Sequence, residues 1–314
     1  MEAVDVLSVG RISVDLYSME PNVGFDGQQN FHKSVGGSPT NVAVASAQLG
    51  LRVALATKVG DDAFGDYVKG RLAGWGVDTA FVGTVTGAQT PLAFAALTPP
   101  ESPTVIFYRG PAAPDTTLTP ADVPADVVRG CRILWISQAS LAQGSTATTC
   151  LDWMSLRSGD NHTILDLDYR PSLWASPADA RAMAERAISL ATVVVGNREE
   201  CAIAVGTDEP DAAADALLAA GVGLAIIKLG ADGVLLATAT ERVRIPAMPI
   251  DVVCGLGAGD AFGGSLCYGL LHEWGLDRIG RFASAAGALV STRLTCADAM
   301  PSVNELTEMM GEAA

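Results

Sequence analysis

The chain has 314 residues, 49% of them hydrophobic but only 6% aromatic, and a formal net charge of −15. That is enough for an aliphatic core in one large α/β domain or two small ones. The acidic balance excludes nucleic acid and anionic membranes as partners, because both need a basic footprint. It does not exclude a phosphate-bearing ligand, which backbone dipoles and a bound cation can hold on an acidic protein.

In chain order, Val4 to Val9 reads as a short apolar strand and Phe31 to Val35 as another strand-like piece. Thr40 to Leu49 reads as a helix, Val53 to Val59 as a strand and Phe64 to Trp75 as a helix. Leu92 to Leu97 and Thr104 to Tyr108 are strand-like runs joined by the turn-rich TPPESP, so they read as a hairpin. Arg132 to Ile136, Thr163 to Asp168, Thr192 to Val195 and Leu224 to Lys228 fit buried parallel strands. Helical stretches such as Pro177 to Ser189 and Asp211 to Ala220 lie between them, and Ala261 to Trp274 follows the last glycine-rich loop. This alternation implies an α/β sandwich with a mostly parallel sheet. From sequence alone the hairpin is reasonable as an edge of that sheet.

No run approaches the length of a spanning helix, and the N-terminus lacks the basic start of a signal peptide. The six cysteines form no CxxC pair and stand apart from the three histidines, so free thiols in a cytoplasmic protein are expected rather than a zinc site.

Two glycine-rich loops carry the chemistry. Val252 to Phe262 reads VVCGLGAGDAF, with Gly255, Gly257 and Gly259 directly before Asp260 and a helix. Glycines let backbone N–H groups converge on an anion, and the helix aims its free N–H groups at the same point. Asp260 is therefore either a helix cap or a catalytic base. The loop lacks the Gly-Lys-Ser/Thr of a Walker A sequence, and Asp260 stands where a dinucleotide fingerprint needs its third glycine. The second loop, SVGGSPTNVA, combines Gly36 and Gly37 with Ser38 and Asn41, and with Asp15 it would make a polyol site. Ligands of such sheets bind beyond the carboxyl ends of the strands. Asp166, Asp168 and Arg170, then Asn197 and Glu200, then Gly230 and Gly233 follow three successive strands.

GGSPTNVA, GDDAFG at 60–65, KLGADG at 228–233 and GAGDAF at 257–262 resemble the ribokinase-type, or PfkB, family of carbohydrate kinases, in the family order and over nearly the whole chain. GRISVDLY at 10–17, DLDYRPSLW at 166–174 and CADAMPS at 296–302 resemble the 5-dehydro-2-deoxygluconokinase branch, with 2-dehydro-3-deoxygluconate kinases as runner-up. The resemblance implies one kinase unit over 1–314. Its fold would be a ribokinase-like three-layer α/β/α sandwich, with lid strands inserted near 12–35 and 90–110 that cover the sugar and often build a dimer interface. It implies ATP and Mg2+ as cofactors and a primary hydroxyl of a keto-deoxy sugar acid as acceptor, in myo-inositol catabolism. Fructokinase, ribokinase and nucleoside kinase activities, or a non-catalytic sugar-binding relative, stand as alternatives. An oxidoreductase is disfavoured because Gly10-Arg11-Ile12-Ser13 lacks the glycine fingerprint.

Residue by residue, the resemblance makes Asp260 the base and the N–H groups of Gly257, Ala258 and Gly259 the γ-phosphate anion hole. Asp15, Gly37 and Asn41 become sugar ligands. Asn197 and Glu200 become the N-x-x-E element, with Glu200 reaching magnesium through water. Lys228, Gly230, Gly233 and Asp168 fall on the nucleotide side. Tyr108-Arg109 and Arg170 are candidates for an acceptor carboxylate, because Arg offers a planar bidentate fork. For Arg109 the alternative is a solvated lid charge, and for Arg170 it is a phosphate contact. Cys254 stands where relatives often have an acidic residue that helps bind a monovalent cation, so potassium dependence is left open. Asp168 and Ser284 each replace an Asn common among relatives.

Overall fold

The computed structural model describes residues 4–311 except 111, 158 and 160. The part of the N-terminal reading that falls on Met1 to Ala3 lies outside the described residues. The first third of the chain contains β1 (Val6–Val9), β2 (Ser13–Ser18), β3 (Phe31–Gly36), α1 (Ser38–Gln48), β4 (Val53–Gly60), α2 (Ala63–Gly74), β5 (Val77–Asp78), β6 (Val82–Val85), β7 (Leu92–Ala96) and β8 (Thr104–Tyr108). The middle contains α3 (Ala125–Gly130), β9 (Ile133–Ser137), α4 (Gly144–Ser155), β10 (His162–Asp166), α5 (Pro177–Ile188), β11 (Val193–Asn197), α6 (Arg198–Val205) and α7 (Pro210–Ala219). The last part contains β12 (Leu224–Lys228), β13 (Val234–Ala237), β14 (Arg242–Ile245), α8 (Ala258–Leu271), α9 (Leu276–Ser291) and α10 (Val303–Met309).

The main sheet runs β14-β13-β12-β11-β10-β9-β1-β4-β5, with β6 also on β4. It is parallel except for the antiparallel β12-β13-β14 edge. Its strands are apolar on both faces because both are covered. Along β9, Ile133 and Trp135 enter one core, while Leu134 and Ile136 enter the other. The first core is closed by α1, α2, α8 and α9, the second by α4 to α7, which gives three layers. All six cysteines are buried free thiols. Among the described residues, no helix is long and apolar enough to cross a membrane.

The hairpin does not join the main sheet. With β2 and β3 it forms a separate four-stranded sheet, β3-β2-β7-β8. The edge strands β13 and β14 and the long helix α9 have no counterpart in the sequence reading.

Register sets the functional edge. Asn197 pairs with Lys228, and Asp166 pairs with Val195 and Ser137. The polar ends of β11 and β12 are therefore level, and β10 ends two residues short of them at the same edge. Two of the boundaries that differ from expectation bear on the site. Strand β10 ends at Asp166, so the chain has already left the sheet at Asp168. Helix α8 spans Ala258–Leu271 instead of 261–274, because Gly257, at φ 82°, turns the chain into helix three residues earlier. At its other end Glu273, at φ 55°, stops it.

Candidate active site

The early start of α8 changes the part Asp260 plays. The first helical bond is donated by Ala261 to Gly257, so the N–H groups of Ala258, Gly259 and Asp260 lie outside the helical ladder. Asp260 sits inside the first turn and caps nothing, which removes the cap alternative. Its Oδ2 instead accepts a 2.8 Å hydrogen bond from Asn41 Nδ2. Burial pushes its carboxyl up to about 6, against the Asn41 amide that favours the ionised form. A Cβ on Gly257 would meet Cys296 Sγ at 2.7 Å, and one on Gly259 would come within 3.4 Å of Lys228 Nζ. Glycine is thus needed at Gly257, and a fixed ammonium stands beside the exposed N–H groups.

Two clefts meet at this helix terminus. The first, about 480 Å³, is lined by Asp15, Gly37, Asn41, Asp168, Arg170 and Asp260, among others. The second, about 630 Å³, is lined by Lys228, Gly230, Gly233, Phe262 and Ser284 together with the apolar stretch Ala247 to Ile250. Gly257 and Asp260 face the first cleft, and Ala258 and Gly259 face the second. An anion held by the α8 terminus would lie between them.

Within the first cleft, Asp15 accepts from Ser13 Oγ at 2.6 Å and from the Tyr17 hydroxyl at 3.2 Å. Burial raises its carboxyl above the usual range. Asn41 has its amide nitrogen on Asp260, and its Oδ1 is buried without a partner. An unmade bond of this kind marks a place for a ligand donor.

Arg170 donates Nε to Asp168 at 2.7 Å, and Asp168 also accepts from Ser137 Oγ at 3.1 Å. Asp168 and Asp260 hold the Arg170 charge above its usual range. Asp168, expected on the nucleotide side, lines the first cleft instead, because β10 ends two residues before it. Arg109 is no solvated lid charge. It is bonded at 2.6 Å to Asp115, whose side chain is fully buried.

Tyr108 is misplaced by the sequence reading. Side chains alternate along β8, so Val105, Phe107 and Arg109 face the cleft while Tyr108 faces away. Tyr108 is 62% exposed and packs edge-on against Phe94 at 5.4 Å.

Behind the second cleft, Lys228 Nζ lies 3.7 Å from Asp166 and 4.0 Å from Glu200. Burial opposes its charge, but Asp166, Glu200, Asp168 and Asp260 together outweigh that and hold the ammonium above its usual range. Burial pushes Asp166 upward in turn. Asn197 and Glu200 form a capping box on α6, with Glu200 N–H on Asn197 Oδ1 at 2.9 Å and Asn197 N–H on Glu200 Oε2 at 2.6 Å. They line neither cleft directly and connect to it through Lys228.

Cleft residues absent from the sequence-based site include Arg11, Tyr17, Phe107 and Cys296. Period-two alternation from Arg109 was the available signal for Phe107. The Tyr17 hydroxyl lies 2.9 Å from Cys296 Sγ across 279 positions, which no local pattern could reveal.

This architecture has close relatives. A 5-dehydro-2-deoxygluconokinase of Shouchella clausii is 33% identical over 313 residues, covering 98% of this chain and 96% of the relative. A fructokinase with bound ATP from Xylella fastidiosa is 26% identical with a TM-score of 0.85, covering 98% of each chain. A fructokinase of Vibrio cholerae in a form bound to fructose, ADP and calcium has 27% identity and a TM-score of 0.85, again over 98% of each chain. The pfkB family of carbohydrate kinases matches residues 4–303. The chain therefore belongs to the PfkB family of carbohydrate kinases, with its ribokinase-like fold, and is a phosphotransferase acting on a sugar hydroxyl.

Proposed function

We propose that residues 1–314 form one ATP- and Mg2+-dependent kinase unit that phosphorylates the primary hydroxyl of 5-dehydro-2-deoxy-D-gluconate, as a cytoplasmic step of myo-inositol breakdown. 2-Dehydro-3-deoxygluconate is the second candidate. The observation that carries the reading is the α8 terminus as common wall of two clefts, with Asp260 on the polar side and the Ala258-Gly259 backbone on the other. The names of the relatives and the three arginines of the first cleft support an acid acceptor.

In this reading Asp260 takes the proton of the acceptor hydroxyl as that oxygen attacks the γ-phosphorus. The new P–O bond forms as the bond to the β-phosphate oxygen breaks, and ADP leaves. A carboxyl raised to about 6 is a better proton acceptor at neutral pH than one at the ordinary value. Charge on the transferring group is met by the α8 N–H groups and by Lys228.

The donor set fits a magnesium ion held mainly by water and phosphate. Glu200 commits Oε2 to the capping box, which leaves Oε1 for a metal-bound water, and Asp166 adds a second buried carboxylate. When bound, the ion would neutralise phosphate charge. The small sheet acts as a lid over the first cleft, and its outward cluster of Phe31, Phe94 and Tyr108 supports a dimer through the lid.

An ADP-release assay with Mg-ATP tests the reading over 5-dehydro-2-deoxygluconate, 2-dehydro-3-deoxygluconate, fructose, ribose and adenosine. Turnover confined to the two acids is the expected result. Turnover on fructose, ribose or adenosine alone would overturn the acid acceptor.

A further inference from the structure

The first cleft is lined by three guanidiniums, of which two make ion pairs. Arg109 is paired with Asp115 and Arg170 with Asp168. Arg11 makes no ion pair among the described residues, and its Nε is buried without a hydrogen-bond partner. Its guanidinium lies 5.1 Å over the Phe107 ring, on the cleft wall.

Every oxygen of the neighbouring carboxylates already accepts another hydrogen bond. Asp115 uses Oδ1 on Arg109 and Oδ2 on the Ile12 N–H. Asp168 uses its oxygens on Arg170 and Ser137, and Asp15 uses its own on Ser13 and Tyr17. Burial and the adjacent Arg109 draw Arg11 down to about 10, so it remains charged at neutral pH. A buried charge with an unmade bond is costly unless a ligand completes it. A methionine would fill the same space on Phe107 without that cost.

Position separates the three arginines. Arg170, paired with Asp168, lines the first cleft but not the narrow cavity that the other two share. Arg11 and Arg109 also line a narrow cavity that Asp260 does not reach. They stand at the end of the cleft away from the base.

We propose that Arg11, backed by Phe107 and Arg109, is the specificity residue of the first cleft and binds the carboxylate of an acceptor whose distal hydroxyl reaches Asp260. The assignment rests on the sugar-acid kinase reading and deepens it. A neutral sugar would leave Arg11 unsatisfied, so acids are preferred over ketoses of the same length. Arg170 is left to the phosphoryl end.

The test is steady-state kinetics of the full chain, wild type beside Arg11→Met and Arg11→Lys, with 5-dehydro-2-deoxygluconate, 2-dehydro-3-deoxygluconate and fructose. Losing a charge-assisted pair should raise the acid KM of Arg11→Met about 30-fold or more relative to that for fructose, with kcat changed less than about threefold. Arg11→Lys should fall between, because an ammonium keeps the charge but not the fork. A melting temperature of Arg11→Met at or above wild type confirms that folding is not the cause.

An acid KM within twofold of wild type in Arg11→Met overturns the Arg11 assignment and leaves the acid kinase standing. An equal loss on acids and fructose also overturns it, by making Arg11 structural. Wild-type turnover on fructose alone overturns both.

Discussion

The two clefts that meet at the α8 terminus are built from different materials. The first is read by charged side chains: Asp15, Asp168, Asp260, Arg11, Arg109 and Arg170. The second is shaped by backbone and apolar surface, with Gly230, Gly233, Phe262 and the stretch around Met248, and Lys228 as its ammonium. Side chains can be exchanged without moving the chain, whereas a glycine at φ 94° such as Gly233, where a Cβ would meet Ile245 O at 1.9 Å, cannot. If the first cleft takes the acceptor and the second the nucleotide, as proposed, a fold of this design can change its acceptor by substitution in the first cleft while the second keeps one nucleotide. In the proposed reading, acceptor specificity is carried by a few side chains, and phosphate binding by main-chain geometry.

The comparison breaks most visibly at the shared wall. Asp260→Asn should lower kcat about 1,000-fold, since it removes the proton acceptor while the α8 N–H groups remain. ATP affinity measured by calorimetry should hold within a few-fold. Near-normal turnover in that variant would sink the base assignment.

A smaller effect is expected on the second side. Lys228→Met should raise the KM for ATP about 10- to 50-fold with little change in sugar KM, because it removes one charged partner of the phosphates. An effect confined to the sugar would assign Lys228 to the wrong cleft.

pH sharpens the same wall. The carboxyl must be ionised to accept a proton, so kcat/KM should fall about tenfold per unit as pH drops below about 6 and level off above it. Stability should run the opposite way. The folded value lies above the unfolded 3.8, so the carboxyl's contribution is fully present at low pH and is lost as pH rises through about 6. Asp260→Asn should therefore melt higher than wild type at pH 8, by up to about 2 kcal/mol of stability, with the gain gone near pH 4.

The smallest kinetic effect concerns the lid. Tyr108→Ser removes an exposed ring from the outer face and should leave sugar KM within about twofold while weakening self-association in sedimentation. A large change in sugar KM would return Tyr108 to the cleft.

Much of this was legible in the chain. The alternation of short apolar runs with helical stretches marked the parallel sheet, because both faces of such a sheet must be apolar. The loops around Gly37 and Gly257 marked both sides of the site, because close backbone approach and φ near 98° and 82° demand glycine. What stayed hidden was orientation. Tyr108 and Arg109 are adjacent in sequence, yet a pleated strand sends them to opposite faces. Asp168 was placed by a strand end two residues too late.

By itself the sequence determined the layered α/β class, the two glycine loops and the identity of the acid at the second, since these follow from local periodicity and backbone freedom. Tertiary structure alone decided that Asp260 bonds Asn41 across 219 positions and that Asp115 neutralises Arg109. It alone left Arg11 without an ion pair among the described residues. Charge pairing depends on distances between segments remote in sequence, and only the folded chain sets those distances.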